Sequence, residues 1–190
     1  MRRAALSRKL LEADRNSIWA FTPATFAALL GNIEPNYLKL MMKRLTDQGV
    51  LSRAARGVYV NPQARSLPAD IRRGLIRFLR PREISYVSLE SKLSEAGVIS
   101  QIATALTCMT TGSPGNFTTP WGIVEFTHTD RGVEIEKDVY RGAEDSLEAT
   151  VARAARDLRR VGRNVDLVDP ETLSDAIAEE ESHEQQSFQP

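Results

Sequence analysis

The sequence predicts an α+β chain of two parts, and three observations predict it. Two helix starts of the same kind stand close together, Thr22-Pro23 and Glu34-Pro35, each followed by an apolar stripe at helical spacing and stopped by a glycine, Gly31 or Gly49. Short β-rich runs follow at once and return, longer, beyond residue 100. The charge is divided: 25 Lys+Arg balance 25 Asp+Glu overall, yet residues 1–82 hold sixteen basic and five acidic side chains (net +11), leaving nine and twenty for residues 83–190 (net −11). An average of zero therefore hides a basic half suited to a polyanion and an acidic half that the same polyanion would repel.

Taken in order, Leu6, Leu10 and Leu11 predict a first helix over residues 2–14, with Arg2, Arg3, Arg8 and Lys9 solvated. Ile18 to Phe21 reads as a brief strand. Thr22 supplies a hydroxyl cap and Pro23 the first helical position of a second helix, with Phe26, Leu29 and Leu30 on its apolar face. Glu34-Pro35 opens a longer helix over 34–48, facing inward through Leu38, Met41, Met42 and Leu45. Val50-Leu51 and Val58-Tyr59-Val60 read as two strands joined by Ser52 to Gly57. Residues 63–69 read as a linker after a first domain of 1–62, and a second domain is expected over 70–180. Within it, helices are predicted over 69–80, 88–97, 144–161 and 170–180. The β-rich runs 101–111 and 121–129 flank Gly112 to Asn116 and predict a hairpin or meander, and a further strand fits 133–140. Residues 181–190 read as a disordered polar tail.

The order helix, strand, helix, turn, helix, two strands is that of a winged helix-turn-helix, so the expected fold is such a unit followed by a mixed α/β domain. Its second helix of the pair would enter the major groove and its hairpin would reach a neighbouring phosphate or the minor groove. The exposed positions on helix 34–48 are Asn36, Tyr37, Lys39, Leu40, Lys43 and Arg44. Asn36 and Tyr37 can reach base edges, and Lys43 and Arg44 phosphates. Arg53 and Arg56 are expected in the wing turn, where Gly57 permits a tight backbone. A solvated basic face around a small core, in a module that binds only protein, is the competing reading. Basic side chains in both wing and first helix favour DNA.

At this point the chain resembles the AbiEi family of antitoxins of type IV toxin–antitoxin systems. The resemblance rests on FTPATFAALLG and YLKLMMKRLTDQGVLSRAARGVYVNP, with Arg-Gly-Val-Tyr at Arg56 to Tyr59, and on YVSLESKLSEAGVIS, whose spaced Tyr, Ser, Glu, Leu and Gly run from Tyr86 to Gly97. It covers most of residues 18–130 and thins beyond. The resemblance implies a winged-helix repressor of its own promoter, with double-stranded DNA as one partner and a cognate nucleotidyltransferase-like toxin as the other. A dimer on DNA fits it as well. A stand-alone winged-helix regulator, or a protein-interaction module without DNA binding, are the alternatives.

Other chemistry finds no constellation. Cys108 is alone, which excludes an intrachain disulfide and a cysteine-based zinc cluster and suits a small buried hydrophobe. His128 and His183 are too few for a metal site. Ser85, Ser88, Ser91 and Ser94 recur every third residue and read as a polar helix face without a base to activate them. Gly112 to Gly115 lacks the Lys-Ser/Thr of a phosphate loop and reads as a turn. A magnesium-dependent nuclease would need carboxylates such as Glu125, Asp130 and Glu134, with Glu136 on the same strand face as Glu134; exposed charges on an edge strand account for them at less cost. Glu179 to Glu181 reads as solvated, or as a docking run for a basic partner. No metal, cofactor or enzymatic activity is expected. The absence of a signal-like start and of a long apolar span predicts a soluble, cytoplasmic chain without a membrane partner.

Overall fold

The computed structural model describes residues 3–31, 33–135 and 137–187. It is α+β: among the described residues there are seven α-helices, a three-stranded sheet and a six-stranded sheet. The chain divides into two compact units, one of residues 1–71 with 118–121, the other of residues 72–117 and 122–190.

The first unit runs α1 (Arg3–Arg15), β1 (Ala20–Phe21), α2 (Pro23–Leu30), α3 (Pro35–Asp47), β2 (Ser52–Ala55), β3 (Val58–Val60). Local chemistry sets the helix ends. Thr22 caps α2 by accepting from the Thr25 amide, Thr25 returns the bond, and Gly31 ends the helix at φ 91°, a left-handed position that only glycine adopts without strain. Glu34 caps α3 by accepting from the amides of Asn36 and Tyr37. The helices bury Leu6, Leu10, Phe26, Leu30, Leu38, Met42 and Leu45 in one core with Phe21 and Leu51. Phe21 and Phe26 meet edge to face at 5.3 Å, a contact worth about 0.5–1.5 kcal/mol beyond its buried area. The sheet order is β1-β3-β2, with both pairings antiparallel.

Two expectations change here. Val50 and Leu51 do not begin a strand: both amides donate to the Leu45 carbonyl and close the end of α3, so the strand starts at Ser52 and carries Arg53. Lys9 is half-buried and not fully solvated; its ammonium donates to the Leu29 carbonyl at 2.7 Å, satisfying the C-terminus of α2. Arg2 lies outside the described residues.

The second unit contains α4 (Ile71–Leu79, from Arg72 onward), β4 (Ser85–Val87), α5 (Leu89–Glu95), β5 (Ala105–Thr110), β6 (Gly115–Thr119, as far as Phe117), β7 (Gly122–His128), β8 (Val139–Arg141), β9 (Leu147–Ala149), α6 (Val151–Val161) and α7 (Pro170–Ser187). Its sheet order is β6-β7-β5-β4-β9-β8. The expected hairpin across Gly112 to Asn116 is not formed. The chain crosses to an edge strand, β6, turns at Pro120-Trp121, and returns as β7 parallel to β5, with Ala105 opposite Ile123 and Thr110 opposite His128. The expected helix over 144–161 is instead a strand, β9, followed by α6; β9 is an inner strand of the sheet, parallel to β4 and antiparallel to the edge strand β8. A Thr150 cap, accepting from the Arg153 amide, starts the helix at Val151. The strand expected over 133–140 shrinks to Val139–Arg141, with Ile135 only bridging to Val139. Helix α7 runs to Ser187, through residues read as tail; residues 188–190 of that tail, and Glu136, lie outside the described residues.

The core of the second unit, between its sheet and α5, α6 and α7, contains Tyr86, Leu89, Leu93, Met109, Leu158 and Leu173. It also contains charge. Arg153, 5% exposed, donates to Asp157, to Asp138 and to the Tyr86 hydroxyl, and Asp157 accepts from Tyr86 and Ser88. Arg73 pairs with Glu148 and Glu95.

Candidate nucleic-acid interface

Helix α3 buries Leu38, Met42 and Leu45 on one face, which turns its opposite face to solvent. All six residues singled out on it, Asn36, Tyr37, Lys39, Leu40, Lys43 and Arg44, are exposed. Strand β2 lies beside this helix after a sharp return of the chain. Its pairing with β3 is irregular between Arg53 and Ala55, and the two-residue tip is Arg56-Gly57, with Gly57 at φ 77°. Arg53 and Arg56 are both exposed.

Between α3 and the hairpin lies an open groove of about 580 Å³, lined by Asn36, Lys39, Leu40, Lys43, Thr46, Asp47, Arg53 and Tyr59. Five of the eight expected residues therefore share one concavity. Tyr37, Arg44 and Arg56 do not line it: Tyr37 and Arg44 are exposed elsewhere on α3, and Arg56 is at the hairpin tip. Arg53 reaches the groove because the strand begins two residues later than expected, and its Nε donates to the Ala55 carbonyl at 3.3 Å.

Tyr59, Thr46 and Asp47 also line the groove and are not among the DNA contacts to which the sequence points. The alternation Val58, Tyr59, Val60, buried on either side of a half-buried tyrosine, contains the signal for Tyr59. Asp47 pairs with Lys43 at 2.7 Å across one helical turn. Both side chains are exposed, so the pair restrains Lys43 only weakly and leaves its charge available. Glu34 places a further carboxylate at the N-terminus of α3, where the amide bonds from Asn36 and Tyr37 hold it below the ordinary carboxylate range.

The remaining sequence candidates fall in the second unit. Cys108 is buried, and the His128 Nδ1 lies 2.8 Å from the Gly112 carbonyl. Ser85, Ser88, Ser91 and Ser94 do not form a polar helix face. The first three are buried, bonding to Thr110, Asp157 and Thr107 respectively, and Ser94 donates to the Gln101 carbonyl. The reason is that β4 and α5 are covered on both sides, so their small polar groups serve as internal connectors. Glu90 accepts two bonds from Arg163 and one from Asn164. Burial opposes its ionisation, but these bonds outweigh burial and keep the carboxyl below its ordinary value. Of the carboxylates considered for magnesium, Glu125 pairs with Arg163 and Glu134 with Lys137. Among the described residues no group of three or more His, Cys, Asp or Glu is placed to hold a metal ion. No helix among them is long and apolar enough to cross a membrane. No protein-family model matches the sequence, and neither does any curated protein.

Proposed function

We propose that the chain binds double-stranded DNA through its first unit, as a winged helix-turn-helix. In this reading α2 and α3 are the paired helices, α3 enters the major groove, and the β2–β3 hairpin is the wing. The observation that carries it is the groove in which Asn36, Lys39 and Lys43 of α3 meet Arg53 of the hairpin, on the face of α3 opposite its buried leucines. A face built this way offers an amide for a base edge beside three cations for phosphates, and places them on a rigid helix and strand. We propose further, on the resemblance in Tyr86 to Gly97, that the protein is the antitoxin and autorepressor of a type IV toxin–antitoxin operon. It then acts in the cytoplasm by binding and not by catalysis, and its acidic second half opposes a cognate nucleotidyltransferase-like toxin.

A mobility-shift titration with the duplex upstream of the protein's own gene tests the first part. With ~5 phosphates neutralised, log affinity should fall against log salt with a slope of about −4 to −5. A slope near zero, or no shift at any salt, overturns DNA binding. Growth of cells co-expressing the neighbouring gene with and without this protein tests the second part. Failure to restore growth leaves a stand-alone regulator.

A further inference from the structure

The acidic half of the chain contains a local reversal of sign. On α6 and the segment after β7, the side chains of Arg131, Arg153, Arg156, Arg159 and Arg160 line one open cavity of about 440 Å³ together with Asp157. Two carboxylates oppose these five arginines. Asp157 pairs with the buried Arg153, and Asp138 pairs with Arg153 and with Arg156 at 2.6 Å. Among the described residues, three positive charges remain without a carboxylate. Among the described residues, Arg131 and Arg159 have no acidic partner within 4.0 Å. Arg160 is held by the Thr129 hydroxyl, to which it donates at 2.7 Å. Three of the five guanidiniums are thus fixed by bonds to the protein, and two are exposed and open to a ligand.

We propose that this cavity is a binding site for a compact phosphate anion, of the size of a diphosphate or the phosphate tail of a nucleotide. Arginine forks match phosphate oxygens two at a time, and their convergence costs free energy through mutual repulsion unless an anion offsets it. The size of the cavity and its setting decide the class of ligand. A unit whose remaining surface is strongly acidic repels a long polyanion over its whole length, whereas a small anion senses mainly the charges within a Debye length, about 8–10 Å. This site is separate from the groove of the first unit and does not depend on DNA binding there.

The experiment is calorimetric titration of the full-length protein with inorganic pyrophosphate, with nucleoside mono-, di- and triphosphates, and with a short duplex. Arg131→Gln/Arg159→Gln is the variant, and a thermal melt without ligand controls for its folding. Saturable pyrophosphate binding, weakened roughly tenfold or more in the variant at unchanged melting temperature, is the expected result. Tighter binding of a nucleoside diphosphate than of pyrophosphate would identify a nucleotide, and equal binding a free phosphate anion. Absence of saturable binding by any of the small anions overturns the site. If only the duplex loses affinity in the variant, these arginines belong to a nucleic-acid surface and the proposal is likewise overturned. Should the variant melt early, Arg159→Lys, which keeps the charge but loses the fork, must still weaken pyrophosphate binding.

Discussion

At the scale of single residues, exposure and pairing separate side chains that hold the fold from those free to act. Asn36 and Arg53 are both exposed and share one groove, so replacing either leaves the core intact. Their expected effects on DNA differ in kind. Arg53→Ala should weaken binding to every duplex alike, because a phosphate contact contains no base information. Asn36→Ala should erode discrimination between the operator and a scrambled duplex by ~1–3 kcal/mol, measured by parallel titrations on the two. Equal losses on both for Asn36→Ala would place the base-reading residue elsewhere. The residues of Tyr86 to Gly97 behave otherwise. Tyr86 and Ser88 bond to Asp157, Glu90 to Arg163, and Ser91 to Thr107, so this segment connects the second unit internally. Its pattern was visible in the sequence, but its burial was not, since serine and glutamate every few residues read equally well as a solvated face.

At the scale of elements, the helices of the first unit were legible because caps and stops are local. Thr22-Pro23 and Glu34-Pro35 start α2 and α3 where the sequence places them, and Gly31 and Gly49 follow their ends. The cap of α3 has a consequence for function. Glu34 occupies the amides of Asn36 and Tyr37 and sets a negative charge at the end of the helix that, in the proposed complex, approaches phosphates. Glu34→Ser keeps a side-chain cap and removes the charge. Duplex affinity should rise at low salt and converge with that of the unaltered protein at high salt, where the repulsion is screened. No change across the salt range would show that the N-terminus of α3 points away from the DNA.

At the scale of the whole molecule, the two units are held together internally by different chemistry. The first relies on an apolar core, and its two acids with lowered pKa, Asp14 and Glu34, are solvated enough for screening to blunt their effect. The second joins its helices to its sheet through buried ions, where loss of one partner strands the other charge at ~3–5 kcal/mol. Glu90 and Asp138 there sit below their ordinary values of 4.5 and 3.8. A depressed carboxylate contributes stability that is complete above its ordinary pKa and is lost as pH falls through the folded one. The second unit should therefore hold its stability from pH 7 to about 5 and lose it progressively below about 4.5, ahead of the first. Hydrogen exchange between pH 7 and 3.5, resolved by peptide, checks this. Earlier loss of protection around Phe26 and Leu38 than around Val87 and Cys108 would contradict it.

The sequence by itself determined the α+β class, the limits of α2, α3 and α4 to within a few residues, the apolar faces of those helices and the division of charge. Each of these is written in neighbours a few positions apart. Only the tertiary structure decided that β7 runs parallel to β5, that Leu147–Ala149 is an inner strand and not the start of a helix, and that Ser88, Glu90 and Arg153 face inward. It also decided that Arg53 and Tyr59 share a groove with Asn36. Strand pairing and burial depend on what covers a segment, and the covering residues lie far away in the chain; for Tyr86, the bond that settles its surroundings reaches 71 positions, to Asp157.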